Sequence, residues 1–301
     1  MVAGQGRALS GGRKSASMKS KLIASALLLA LAAAVATPAL ATKAFPNATR
    51  ALAPRFSDES DVIADLIAGP QRSAASKARD AARHPAESLT FWGVRPGDTI
   101  LEISPGGGYW TEILAPLAAK THGRYIAMVS EKGKPGFLAK YGDAAVFGQV
   151  EAVSLDRAGT SLTAPGTVDF ILTARNVHNF MWDGVLDSVL AQSFAALKPG
   201  GVLAIEEHRA DPRPMNPEAK DGYVSEAFVI AAAKKAGFVM EAKAEINANP
   251  KDSKDHPFGV WTLPPARYES EKGQPSPGFD HSRYDAIGES DRMTLRFRKP
   301  A

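Results

Sequence analysis

The residue types best suited to chemistry follow three short apolar segments of the chain. Residues 104–109, Ser-Pro-Gly-Gly-Gly-Tyr, come directly after the first segment, and His178 and His208 follow the other two. Glycine adopts positive φ readily and lets a ligand approach the backbone closely. Imidazole titrates near neutral pH, so either histidine could accept a proton from a hydroxyl or an amine. The pattern therefore indicates a ligand-binding turn and two candidate bases.

An acid lies inside the apolar segment that precedes the glycine turn. Glu102 has apolar neighbours within residues 99–103, which predicts a short buried strand. A buried carboxylate is unfavourable unless it accepts hydrogen bonds or pairs with a cation, and a ligand with an ammonium group and hydroxyls would provide both. The absence of a following Gly-Lys-Ser/Thr excludes a P-loop, and the acid and Thr111 depart from the dinucleotide fingerprint. An ordinary strand-to-helix turn of another α/β protein remains an alternative.

This turn resembles motif I of the class I S-adenosylmethionine-dependent methyltransferases. That motif has an apolar pair, an acid, an apolar residue and then Gly-x-Gly-x-Gly. Glu102 matches the acid, Gly106 and Gly108 match the last two glycines, and Ser104 stands where the first glycine usually lies. The resemblance implies that S-adenosylmethionine is the cofactor. It also implies that Glu102 and residues 104–109, including Gly107 and Tyr109, hold its methionine end.

The chain beyond the turn alternates apolar strands with helical segments, which predicts a parallel sheet covered on both faces. Strands are predicted at 99–103, 123–129, 149–155, 168–173, 202–206, 238–246 and 293–297, and helices at 58–68, 73–84, 109–119, 186–197 and 223–236. Residues 197–203 resemble the approach to the fifth strand of the methyltransferase fold. We therefore expect an α/β, Rossmann-like class I methyltransferase fold. Its seven-stranded sheet would be mostly parallel, with helices on both faces and a C-terminal antiparallel strand.

Three further segments, residues 175–180, 207–211 and 290–295, resemble a group of secreted bacterial proteins catalogued only as predicted methyltransferases. The resemblance to the methyltransferase superfamily extends from about Ala86 to the C-terminus. It therefore covers most of the chain that follows the leader.

The remaining cofactor contacts are also implied by the resemblance. The family's second strand ends in an acid that binds the ribose hydroxyls, whereas here Val129 and Ser130 occupy that place and Glu131 lies just beyond. Asp156 follows the third strand, where the family contacts the adenine amino group, although a helix N-cap or a turn residue is an equal alternative. Asn176 follows the fourth strand, beside the expected methyl group.

His178 and His208 are the candidate catalytic bases because they follow neighbouring strands. In an open α/β sheet the ligand binds outside the carboxyl ends of the strands, so the two histidines could meet there. The alternative is that both are polar rim residues bonded to backbone. A metal site of His178, His208 and Glu207 follows no known ligand spacing, so we predict no metal.

The N-terminus predicts a leader that is removed from the mature protein. Lys19 and Lys21 precede the apolar run 22–35, and small residues at 39–41 form a cleavage site. Residues 1–41 are therefore a predicted signal peptide with an upstream start extension before Met18, and the protein is expected to be periplasmic or secreted. The apolar run is short for a membrane span, so we expect no stable membrane insertion after cleavage.

Charge and cysteine content exclude several classes of function. The chain has 36 basic and 32 acidic side chains, but five of the basic ones lie in the leader, which leaves 31 against 32. The near-neutral balance gives no support to a nucleic-acid partner. The absence of cysteine excludes disulfides, thiolate catalysis and cysteine metal sites.

Residues 42–85 are predicted to form a helical cap and residues 86–301 the methyltransferase-like domain. Within that domain, residues 247–289 form a long, aromatic-containing connection that we expect to be a lid over the acceptor pocket; a surface wrap is the alternative. Nothing in the sequence explains a supply of S-adenosylmethionine outside the cytosol. Two hypotheses follow: a methyltransferase acting on a small-molecule acceptor, or a non-catalytic secreted protein of that fold that binds a nucleoside-like or other small polar ligand.

Overall fold

The computed structural model describes residues 56–212 and 218–301. The predicted signal peptide and the first part of the predicted helical cap lie outside the described residues. No helix in the described ranges is long and apolar enough to cross a membrane.

Seven strands form one mixed sheet in the order β3-β2-β1-β4-β5-β8-β6. The strands of the chain are β1 (Thr99–Ile103), β2 (Arg124–Met128), β3 (Val150–Val153), β4 (Val168–Ala174), β5 (Leu197–His208), β6 (Val239–Ala244), β7 (Pro257–Val260) and β8 (Arg292–Arg298). The short β7 is not part of this sheet. Within the sheet, the five neighbouring strands β3, β2, β1, β4 and β5 are parallel, whereas β8 is antiparallel to both β5 and β6. The predicted mostly parallel sheet with a C-terminal antiparallel strand is confirmed.

Helices cover both faces of this sheet. They are α1 (Phe56–Ala68), α2 (Ala74–Lys77), α3 (Asp80–Arg83), α4 (Pro85–Trp92), α5 (Thr111–Lys120), α6 (Lys134–Lys140), α7 (Ala144–Phe147), α8 (Val177–Trp182), α9 (Leu186–Ala196), α10 (Glu226–Lys235) and α11 (Ser282–Ile287). Side chains alternate along a strand, so each face has its own core. In β1, Ile100 belongs to the core formed with α1, α4 and α5, whereas Leu101 and Ile103 belong to the core formed with α8, α9 and α10.

The predicted helix over residues 73–84 is two short helices, α2 and α3. His84, which follows α3, has a φ of 43°, and Pro85 then begins α4. Proline suits the first turn of a helix because its missing N–H has no partner there. No helix is predicted from the sequence over residues 85–92, so α4 is an addition to the predicted elements.

Tyr109 fixes the N-terminal helices to the glycine turn. Its hydroxyl donates a hydrogen bond of 2.6 Å to Asp80. The guanidinium groups of Arg72 and Arg83 lie 5.0 and 4.5 Å from the centre of its ring. Arg72 also pairs with Asp80. These contacts place α2 and α3 beside the end of β1.

The connection from β6 to β8 contains β7 and α11 and is fastened to β8. The Asn247 side chain donates to the hydroxyls of Ser88 and Thr294, both at 3.1 Å. The Asp252 carboxylate accepts from the backbone N–H of Asp291 at 2.8 Å. The connection over residues 247–289, which we expect to be a lid, therefore contains regular structure of its own.

Candidate functional site

A cavity of about 1230 Å³ lies at the carboxyl ends of β1, β4 and β5, between the N-terminal helices and the β6–β8 connection. It exceeds the range of roughly 300–1,000 Å³ that is typical of small-molecule sites. The predicted site residues that line it are Ser104, Gly106, Gly107, Tyr109, Asn176, His178 and His208. Glu102, Gly108, Glu131 and Asp156 are not part of its lining.

The glycine turn presents bare backbone to the cavity. A Cβ atom on Gly106 or Gly107 would meet no atom within 4 Å, so the space above these two residues is open to a ligand. Gly106 has a φ of 58°, where a side chain is strained. Gly108 differs, because a Cβ there would lie 1.6 Å from the hydroxyl of Tyr141.

Asn176 connects the ends of β4 and β1. Its side-chain amide donates to the carbonyl oxygens of Ile103, Ser104 and Ala174 at 3.3, 3.1 and 3.0 Å. The amide thus holds the start of the glycine turn against β4. This role differs from the direct ligand contact that the sequence suggested, and that contact stays a prediction.

Glu102 faces the helices rather than the cavity. Its carboxylate accepts hydrogen bonds from Tyr125 at 2.5 Å and from Thr111 at 2.8 Å. Burial raises the pKa of this carboxyl group to about 7, against the lowering effect of the two hydrogen bonds. Glu102 therefore secures the first turn of α5, directly after the glycine turn, and the expected contact with a ligand ammonium stays a prediction.

Glu207 holds the His178 side chain in one orientation. The His178 Nδ1 atom lies 3.0 Å from a Glu207 carboxylate oxygen. The same carboxylate accepts from the backbone N–H groups of Val177 and His208 at 2.5 and 2.8 Å. Because a carboxylate only accepts hydrogen bonds, Nδ1 of His178 carries the proton and Nε2 keeps its lone pair. This orientation leaves Nε2 without a contact to Glu207, as the predicted role of base requires.

His208 lies beside His178 with a different partner. The two ring centres are 5.4 Å apart, and the Nδ1 atom of His208 lies 2.5 Å from the hydroxyl oxygen of Ser290. Burial lowers the pKa of His208 well below its usual value, and the nearby His178, Arg175 and Arg292 lower it further. His208 is therefore neutral at neutral pH.

The side chains of His178, Glu207 and His208 offer three possible ligand atoms within 4.8 Å of one another. The Glu207 carboxylate, however, already accepts from three backbone N–H groups and from the His178 ring. Arg175 and Arg292 add positive charge close by. The arrangement therefore suits a carboxylate–histidine pair better than a divalent cation.

The two residues expected at the nucleoside end, Glu131 and Asp156, do not line the cavity. Glu131 is 77% exposed and pairs with Lys134 at 2.7 Å, which lowers the pKa of its carboxyl group. Asp156 accepts a hydrogen bond of 2.9 Å from the backbone N–H of Ala158, as an ordinary turn residue does. Neither Glu131 nor Asp156 therefore lines the cavity beside the glycine turn, and their contacts with a cofactor stay predictions.

The cavity also includes residues that the sequence did not identify as a group. Arg79 and Arg175 line it near Glu289. Trp182 and Trp261, with ring centres 5.3 Å apart, form an aromatic wall beside His178. Arg79 and Glu289 are 210 residues apart in sequence, so no local pattern could have paired them. The sequence feature that could have identified part of this group is the position of Arg175 directly after a predicted strand.

The described part of the chain is similar to solved methyltransferase structures. A proposed sarcosine dimethylglycine methyltransferase from Galdieria sulphuraria matches with a TM-score of 0.51 at 15% identity, over 80% of this chain and 98% of that one. The chain has the class I methyltransferase fold. An S-adenosylmethionine-dependent methyltransferase from Aquifex aeolicus matches with a TM-score of 0.48 at 17% identity, over 80% of this chain and 98% of that one. No protein-family model and no curated protein matches the sequence.

Proposed function

We propose that this protein is an S-adenosylmethionine-dependent methyltransferase that acts on a small-molecule acceptor. The observation that carries the proposal is that the bare glycine turn and the Glu207–His178 pair border the same cavity. Its volume of about 1230 Å³ leaves room for a cofactor and an acceptor together.

The residues of the turn fit the cofactor. The open space above Gly106 and Gly107 is a place where only glycine leaves room for a ligand against the backbone. Asn176 holds Ser104 in position, and Glu102 holds the helix that follows the turn. When bound, S-adenosylmethionine supplies an electrophilic methyl group. The chain's own contribution is to orient the two ligands and to manage the acceptor's proton.

His178 is the proposed base for that proton. Its Nε2 atom accepts the proton from an acceptor hydroxyl or amine, and the carboxylate of Glu207 stabilises the positive charge that then forms on the ring. His208, which is neutral and bonded to Ser290, shapes the same wall of the cavity and is the second candidate. General base catalysis of this kind is worth roughly 10²–10⁴ in rate.

One observation favours a second function, a non-catalytic protein of the same fold that binds another small polar ligand. In the methyltransferase family an acid at the end of the second strand binds the ribose. Here Val129 and Ser130 occupy that place, and Glu131 is exposed and paired with Lys134. The predicted secretion of the chain, read from residues 1–41, also favours this alternative.

Titration calorimetry with S-adenosylhomocysteine tests the proposal. We expect binding in the micromolar range and its loss in Gly107→Val, because the new side chain fills ligand space without requiring a strained φ. Gly136→Val is the matched control, since Gly136 is exposed on α6, has open space around it and does not line the cavity.

No binding to folded protein at millimolar S-adenosylhomocysteine would refute the methyltransferase function and favour the non-catalytic one. Unchanged binding in Gly107→Val would show that the cofactor does not lie on the glycine turn.

A further inference from the structure

Four arginines surround one carboxylate at the edge of the cavity. Glu289 lies 2.7 Å from Nε of Arg79, 3.1 Å from Nε of Arg83 and 4.0 Å from Nη1 of Arg175, and it also pairs with Arg292. All of these side chains are at least three-quarters buried. Such a grouping is unusual, because one carboxylate cannot neutralise four guanidinium groups.

The cluster carries an excess of positive charge. Besides Glu289, the other carboxylate within ion-pair distance of these arginines is Glu206, which lies 2.9 Å from Nε of Arg292; this holds for residues 56–212 and 218–301. Two acids therefore face four arginines. Uncompensated charge in a buried region is unfavourable, so an anion bound there would be strongly stabilised.

Several guanidinium nitrogens in the cluster have no hydrogen-bond partner within the described parts of the chain. They include Nη2 of Arg79 and Nε of Arg175. Arg83 also has unpaired nitrogens, but its guanidinium lies over the ring of Tyr109. Arg79 and Arg175 line the cavity, and their side chains are 25% and 23% exposed. These two arginines can therefore reach a ligand.

The cluster lies on the side of the cavity where the acceptor is expected. Arg175 directly follows β4. Arg292, in β8, lies opposite His208 of β5 in the register of the two strands. The nucleoside of a cofactor would follow the other side, from β1 towards β2 and β3, because the ligand crosses the sheet at the switch between β1 and β4. Ser290, which contacts His208, directly follows Glu289, so the arginines border the candidate bases.

We propose that Arg79 and Arg175 form a subsite that binds an anionic oxygen group of the methyl acceptor, so that the substrate is a small organic acid. This inference rests on the proposed methyltransferase function. A guanidinium presents two parallel N–H donors to a carboxylate or a phosphate, which an ammonium cannot do. The anion would offset the uncompensated positive charge of the cluster through the exposed parts of the two side chains. It would also set the acceptor's reactive group beside His178.

The first test compares an acid with its uncharged analogue. Benzoate and benzamide have the same shape, and their planar ring suits the wall formed by Trp182 and Trp261. Calorimetry on the wild-type protein saturated with S-adenosylhomocysteine should give at least tenfold tighter binding of benzoate than of benzamide. Competition by inorganic phosphate would identify a general oxyanion site, and its absence a carboxylate site; either outcome supports the subsite. Equal affinities for benzoate and benzamide would overturn it.

The second test uses charge-removing variants. Arg175→Gln and Arg79→Gln should each weaken benzoate binding at least tenfold, the fold-change expected from one charge-assisted hydrogen bond. Arg175→Lys should recover only part of the loss, since it restores charge but not the paired donors. Arg124→Gln is the control, because Arg124 is about half exposed and pairs with Glu151 at the other end of β2.

The affinity for S-adenosylhomocysteine separates this inference from the proposed function. We expect it to stay within twofold in both glutamine variants. If these variants weaken S-adenosylhomocysteine and leave benzoate unchanged, the arginines serve the cofactor's carboxylate and the inference is wrong. Arginine-dependent benzoate binding without any binding of S-adenosylhomocysteine would instead keep the anion subsite and refute the methyltransferase function.

Discussion

Replacing Glu102 by glutamine is expected to remove a pH dependence from the stability of the protein. Glu102 is only 3% exposed, and its carboxylate contacts two neutral donors, Tyr125 and Thr111. In the described part of the chain, no ion pair includes Glu102. Burial therefore dominates and raises the pKa of this carboxyl group to about 7, from an ordinary value of 4.5.

The size of the effect follows from the difference between these two pKa values. Between pH 4.5 and pH 7 the folded protein keeps a proton on Glu102 that the unfolded chain has already released. The unfolded state binds fewer protons, so the free energy of unfolding falls as the pH rises through this interval. At about 1.4 kcal/mol per pKa unit, the full loss is roughly 3 kcal/mol. About 2.5 kcal/mol of it occurs between pH 5 and pH 8.

Urea unfolding at pH 5, 6, 7 and 8 measures this loss. Glutamine has the same shape and no charge, so the stability of Glu102→Gln relative to the wild type should rise by about 2.5 kcal/mol from pH 5 to pH 8. Glu131→Gln is the control, because Glu131 is exposed and the pKa of its carboxyl group is lowered by Lys134, so its replacement should not produce the rise.

Parallel pH profiles for the wild type and Glu102→Gln would refute this reasoning. The same variant also tests the direct contact predicted from motif I. If Glu102 binds the cofactor's ammonium, the affinity for S-adenosylhomocysteine should fall by roughly 1.5–3 kcal/mol. If Glu102 only secures α5, that affinity should change little.

Three further outcomes are expected. His178→Ala should slow methyl transfer by roughly 10²–10⁴ while the affinity for S-adenosylhomocysteine stays within twofold; an unchanged rate would transfer the role of base to His208. Hydrogen exchange in residues 247–289 should slow on ligand binding more than in α6, and equal protection would leave the segment a structural wrap. N-terminal sequencing of the exported protein should begin near Thr42, and a retained Met18 on a cytosolic product would contradict the predicted leader.

The alternation of strands and helices could be predicted because the physics that forms it is visible in the sequence, whereas the architecture of the sheet was implied by the resemblance to the methyltransferases. Strands buried on both faces must be almost continuously apolar, as residues 168–174 are, and the intervening helices repeat their apolar positions. The short elements were harder. Pro85 begins α4, but proline is also found where helices end, and α8 has only six residues, too few for a periodic pattern.

The candidate site could be predicted only where a single rule decides the position. The carboxyl ends of parallel strands meet at one edge, and this rule correctly brought the glycine turn, Asn176, His178 and His208 to one cavity. The direction of a side chain inside a strand is set by the pleat, which turned Glu102 towards α5. The contact of Arg79 with Glu289 depends on packing between the two ends of the chain, which no local spacing reveals.

The charges around the cavity distinguish the roles of the two histidines. A positive charge that forms on His178 lies against the Glu207 carboxylate, which accepts its Nδ1 hydrogen at 3.0 Å. A positive charge on His208 would lie near Arg175 and Arg292, and these arginines already contribute to the lowered pKa of that imidazole. A positive charge is therefore stabilised by a neighbouring carboxylate at His178 and opposed by neighbouring arginines at His208. The same arginines that disfavour a cation at His208 favour an anion beside it. The proposed base and the proposed anion subsite are thus parts of one electrostatic arrangement.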